Sequence, residues 1–167
     1  MNVNLRFAAI LVAGFLCQAA VVPFLSIGAV KPDLILIIIA SFGFLDGASP
    51  GAVGGFLGGL LLDLLTIRGI GLEAMVKTSV GFFSGRVERT ILGNSPVMPM
   101  LAIGGVSLVS QTLYMGLAFI VGERMEFLPI MSGIVLPSAL YTAVIGFFAF
   151  PYLSRVLSAE RQDKVFR

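Results

Sequence analysis

Asp63, Glu73 and Lys77 lie close together in an otherwise apolar part of the chain, with Arg68 between them. Two carboxylates held together can share a proton and work as an acid and base pair. After Asp63, however, the next aspartate is Asp163, near the C-terminus. There is no histidine and only one cysteine, Cys17, which removes the usual zinc, haem and Cys/His nucleophile sets. No catalytic residue, metal ligand or cofactor site is therefore expected, and the charges read as a structural cluster. Glu73 precedes Lys77 by four residues, the favourable order for an ion pair along a helix. Asp63 and Lys77 lie about one to two helical turns on either side of the connection TIRGIG, by the rise per residue of a helix. The expectation is a buried cluster of Asp63, Glu73 and Lys77 in which Asp63 pairs with Lys77.

The elements that must position this cluster are membrane helices. Hydrophobic residues make up 57% of the 167 and charged residues 12%, with mean hydropathy +1.03. A soluble domain is about 45–50% apolar even with glycine counted. Charge-free stretches run from Phe7 to Val30, Leu34 to Leu45, Gly47 to Leu62, Thr90 to Gly122 and Phe127 to Ser154. The longer ones exceed the roughly 20 residues a spanning helix needs. Period-2 alternation is absent, which argues against a barrel. Proline, glycine and charge divide the chain into an all-α, polytopic domain over 1–154 with six transmembrane helices, at 5–22, 33–45, 50–66, 72–90, 97–121 and 129–153. A short basic cytoplasmic tail follows at 155–167. Merging the second and third helices would give five spans. The first apolar run is too long for the core of a cleaved signal and is followed by more membrane sequence. Cys17 within it reads as a small core hydrophobe.

Charge decides between five and six spans. With both termini inside, Arg6, Arg86, Arg89, Arg155, Arg161, Lys164 and Arg167 face the cytoplasm, against Lys31, Arg68 and Arg124 outside. This asymmetry follows the positive-inside rule, whereas five spans would put one basic cluster on the wrong side. The net charge of +2 is thus accounted for by topology and by attraction of the tail to anionic membrane lipid, and no nucleic acid is implied.

Within the third helix, Gly51, Gly55, Gly59 and Asp63 recur every four residues on one face, and Gly54 and Gly58 widen the strip. Small residues at this spacing let two helices approach until their backbones nearly touch. The strip is broader than one neighbour needs. One side is therefore expected to pack within the bundle and the other to receive a partner's helix. Asp33, after Pro32, is placed to cap the second helix at its outer end or to accept a hydrogen bond from the partner. Ser107, Ser110, Gln111 and Tyr114 form a polar stripe on the fifth helix, and Ser138, Tyr141 and Thr142 a smaller one on the sixth. Both suit interhelical hydrogen bonds, with a small-molecule pocket as the alternative. Pro137 should kink the sixth helix.

The glycine-rich run ending at Asp63 faintly resembles the lipoprotein signal peptidases, but the second carboxylate and the Asn-rich motif of that family are missing. A fuller resemblance is carried by Lys31-Pro32-Asp33-Leu34, then GFLGGLLLDLLT, then GIGLEAMVKTSVGFFSG. These residues resemble the rod shape-determining protein MreD family over about residues 30 to 90. In that family an amide is common where Glu73 stands, and a charge at Lys77 is unusual. The resemblance implies a non-enzymatic scaffold in the bacterial inner membrane. Its partners would be a single-span MreC-like protein and, in a larger cell-elongation complex making peptidoglycan, MreB, RodA and a class B penicillin-binding protein. It also implies a fold similar to the S-components of energy-coupling-factor vitamin transporters, whose substrate-binding role is the alternative function. Ala9-Ile-Leu-Val-Ala13 is similar to the small-residue motif by which S-components dock.

Overall fold

The computed structural model describes residues 3–65, 71–86, 97–123 and 126–158, with the side chains of 3–6 and 158 left aside. Among these residues the protein is helical, apart from one isolated bridge between Ile27 and Val30. The long helices are α1 (Val3–Ala20), α2 (Leu34–Asp46), α3 (Ala48–Asp63), α4 (Leu72–Ser84), α5 (Met98–Ile120) and α6 (Leu136–Ser158). A helical turn, Phe127–Ile130, and a π-helical turn, Met131–Val135, lead directly into α6. The π turn ends two residues before Pro137 and covers Gly133, whose carbonyl a proline ring would otherwise strike in a regular helix. The irregularity therefore precedes the proline instead of bending the helix beyond it.

α5 and the continuous helix Phe127–Leu157 are long and apolar enough to cross a membrane. The apolar parts of α1 and α2 are shorter. At about 1.5 Å per residue, the 13 residues of α2 fall well below the roughly 30 Å hydrocarbon thickness. α2 is the central helix, buried without interruption from Ile35 to Phe44. Around it gather Phe7 and Leu11 of α1, Ile103 of α5, and Leu153 and Leu157 of α6. Phe7 stacks on Phe42 with ring centroids 3.7 Å apart. α2 and α3 stay separate because one residue, Gly47 (φ 104°), reverses the chain between them, a backbone angle that favours glycine. On the outside the polarity is inverted: Phe24, Ile120, Leu128, Leu140 and Phe148 are all exposed. Apolar patches on that scale mark a surface made for membrane or for protein. Cys17 is also exposed and is not part of the core.

Candidate functional site

α4 begins after Gly71 with no side chain of its own to cap it, so its first N–H groups need an acceptor from elsewhere. Asp63, at the end of α3, supplies it. Its Oδ2 accepts from the backbone N–H of Gly71 at 2.9 Å and of Ala74 at 3.1 Å, and its Oδ1 from Glu73 N–H at 3.0 Å. The negative carboxylate also lies at the positive end of the helix dipole. Asp63 thus ties the α3–α4 hairpin together through backbone amides. This corrects the expected ion pair, because no bond joins Asp63 to Lys77.

Lys77 is paired instead with Asp33, 44 residues away in sequence, at 2.5 Å between Nζ and Oδ2. Glu73 Oε2 lies 3.3 Å from the same ammonium, and Ser110 Oγ accepts from it at 3.2 Å. The Lys77 side chain is 3% exposed, whereas those of Asp33 and Glu73 are 20% and 22% exposed. Asp33 does two jobs at once, since its Oδ1 accepts from Leu36 N–H at 2.8 Å and caps α2. Its own backbone N–H donates to Thr142 Oγ1, and that of Lys31 donates to Ser138 Oγ. Gln18 of α1 completes the clamp, donating to Pro32 O and accepting from Leu34 N–H. The Lys31–Leu34 segment is therefore gripped from α1, α4 and α6 together. The sequence signal for Gln18 is an amide inside an otherwise apolar helix, which marks a needed polar contact. Arg68 lies outside the described residues.

The five glycines of α3 are all buried, and both strips are used within the chain. A Cβ on Gly51, Gly55 or Gly59 would collide with the backbone carbonyls of Gly81, Lys77 or Glu73 in α4. On the other side, a Cβ on Gly54 would meet the Phe7 ring at 2.6 Å, and one on Gly58 would meet Ile39, Ile35 and Leu11. The expectation that one side stays open for a partner's helix is thus corrected: α1 and α2 occupy it. Beside the charge cluster a cavity of about 420 Å³ opens, walled by Glu73, Lys77, Gln111 and Tyr114 on one side and by Ile134 and Ser138 of the π turn and α6 on the other. Gln111 donates to Ser107 one turn earlier. Among the described residues no group of three or more His, Cys, Asp or Glu is arranged to hold a metal ion.

Searches among curated proteins and among solved structures return no match. The family model of rod shape-determining protein MreD matches residues 1–157, from α1 into the last turn of α6 and far beyond the stretch that carried the sequence resemblance. That family is one of shape-determining structural proteins and not of known enzymes. With the match running across the whole helical bundle, this chain belongs to the MreD family, and its role is in rod-shape determination.

Proposed function

We propose that the protein is a multi-pass scaffold of the bacterial inner membrane that holds a single-span MreC-like protein, and through it MreB, RodA and a class B penicillin-binding protein. The family match over residues 1–157 carries this reading. All six long helices cross or enter the bilayer, with both termini in the cytoplasm. Arg86, 4.9 Å above the Phe82 ring, then anchors the inner end of α4 at the lipid interface, where a cation can reach headgroups. Labelling of engineered cysteines at positions 90 and 160 by a membrane-impermeant reagent added outside would overturn this topology.

The docking face for the single-span helix is the exposed side of α5. Gly105 and Gly116 lie eleven residues apart on nearly one line of the helix, both exposed, and a Cβ on either would meet nothing within 4 Å. Open small residues permit close helix approach, and those of α3 are already covered. The test is a pull-down in mild detergent with identification of co-purifying proteins. A single-span protein with a large extramembrane domain is expected. Recovery of ATPase subunits with a tightly held small molecule would instead favour the vitamin-transporter alternative.

A further inference from the structure

The connection between α1 and α2 is apolar where a water-facing loop would be polar. Residues 21–30 read VVPFLSIGAV, with no charge between Arg6 and Lys31, and Phe24 and Ile27 are 89% and 74% exposed. The connection lies against α6, where Tyr141 Oη donates to Leu25 O at 3.2 Å, and Gly28 (φ 63°) turns the chain so that Ile27 and Val30 pair. Between connection and helix runs a groove of about 360 Å³, lined by Ile27, Val30, Pro137, Leu140, Tyr141 and Val144. Tyr141 is the one polar side chain there, and its hydroxyl is already engaged. Leu140, Val144 and Phe148 recur every four residues on α6, so they share one line, and they are 65%, 41% and 72% exposed. The groove therefore continues as an apolar stripe along the helix. A cation stands at its other end. Lys31 N–H donates to Ser138 Oγ at 3.3 Å, which sets Lys31 beside the wall formed by Pro137 and Tyr141. Its side chain is exposed and makes no ion pair among the described residues, because Asp33 and Glu73 are paired with Lys77.

We propose that this groove is a binding site for an anionic phospholipid, with one acyl chain lying along Ile27, Leu140, Val144 and Phe148 and the phosphate at the Lys31 ammonium. An unpaired lysine is a point charge suited to phosphate, and a lysine and a tyrosine at the end of an apolar helix face are the side chains that favour the level of lipid headgroups. A partner's helix would fill the stripe equally well but would leave Lys31 without a counter-charge. The inference goes beyond the scaffold reading and rests only on the membrane placement of the chain.

The chain has no tryptophan, so Phe148→Trp, about 15 Å along α6 from Ser138, is a single fluorescent reporter beside the middle of such an acyl chain. Val109→Trp, on the exposed side of α5, is the control. Each full-length variant is placed in phosphatidylcholine nanodiscs, in which phosphatidylglycerol or phosphatidylcholine brominated at mid-chain replaces part of the lipid. At Phe148→Trp, brominated phosphatidylglycerol should compete about fivefold better than brominated phosphatidylcholine, the preference one basic residue provides. At Val109→Trp the two should quench alike. Adding Lys31→Gln should bring the fivefold preference to unity, and Lys31→Arg should keep it. Should Lys31→Gln fail to fold, the preference must instead fall as salt is raised. Equal quenching by the two lipids at Phe148→Trp would overturn the site and leave the membrane placement intact. The same preference at Val109→Trp, or a preference that survives Lys31→Gln, would overturn it as well. So would weak quenching by both lipids at Phe148→Trp, which would mean that protein covers the groove.

Discussion

The α3–α4 and α5–α6 pairs are both apolar helix pairs, yet they are held together by different means. In α3–α4 backbone meets backbone. Gly51, Gly55 and Gly59 lie against carbonyls of α4, while a Cβ on Gly81 or Gly85 would collide with the backbone at Gly51 or Ala48. The hairpin is then closed by one carboxylate on three amides. In α5–α6 side chains meet: Ile103 fills the space at Gly146, and Ala143 approaches Gly104. Two further glycines of α5 touch nothing. The first pair spends its small residues on its own fold, and the second keeps some of them facing outward. Composition alone does not tell these uses apart; the geometry of each glycine's missing Cβ does.

The sharpest way to break the first region is to strip the charge from Lys77. Lys77→Met leaves Asp33 and Glu73 without their cation, a loss expected to cost about 3–5 kcal/mol, measured as loss of folded protein in an unfolding titration. Coupling identifies the partner. A double-mutant cycle of Lys77→Met with Asp33→Asn, which can still cap α2, should show an interaction above about 0.5 kcal/mol, whereas Lys77→Met with Asp63→Asn should be near additive. A strong Asp63 coupling would contradict the geometry.

Next in size is Asp63→Ala, which orphans the first amides of α4. Several unsatisfied donors at about 1–3 kcal/mol each, partly recovered by water, put the net loss near 3 kcal/mol. Amide hydrogen exchange at Gly71, Glu73 and Ala74 should rise in this variant. Protection equal to wild type at those three positions would mean that Asp63 does not hold the hairpin.

Much of this was legible in the sequence. The helical class and the bounds of α2 and α5 follow from charge-free runs and punctuation, and the Asp33 cap from Pro-Asp before an apolar run. The Glu73–Lys77 contact follows from i,i+4 spacing. The Asp33–Lys77 bond was not legible, because helices far apart in sequence can bring many alternative pairs together, and spacing within one helix says nothing of the rotation of another. The role of Asp63 does have a signal in the sequence: α4 starts after Gly71 without Ser, Thr, Asp or Asn at its cap, so a nearby acceptor is required. The second glycine strip is surplus only for a helix with a single neighbour. α3 packs on α4 with one side and on α1 and α2 with the other.

Third in magnitude is the glycine packing itself. Gly55→Ala drives a methyl into the Lys77 carbonyl, and backbone cannot swing aside as a side-chain end can. Overpacking of this kind typically costs about 1–3 kcal/mol. Gly54→Ala faces the Phe7 ring, which can shift, so it should cost less than Gly55→Ala when the two are compared in one thermal-unfolding series. The reverse order would mean that the α1 side, and not α4, is the rigid neighbour.

The smallest effect on the fold belongs to the open glycines of α5, and it sharpens the comparison most. Gly105→Leu adds a side chain into space that no atom of this chain occupies within 4 Å of the new Cβ. Leucine, which ranks just behind alanine, is also better than glycine in a helix interior by somewhat less than the ~0.8–1 kcal/mol that separates alanine from glycine, and much of that gain is offset in a membrane, where glycine is common. The unfolding midpoint should therefore hold or rise slightly. If the proposed single-span partner docks on α5, its capture should fall several-fold, because the leucine keeps the two backbones apart. Gly116→Leu should behave alike, since it lies on the same line of the helix. If both variants fold as wild type and retain the partner at wild-type levels, α5 is a lipid-facing surface, and the docking face must be sought on α1 at Ala9 and Ala13, which are also exposed.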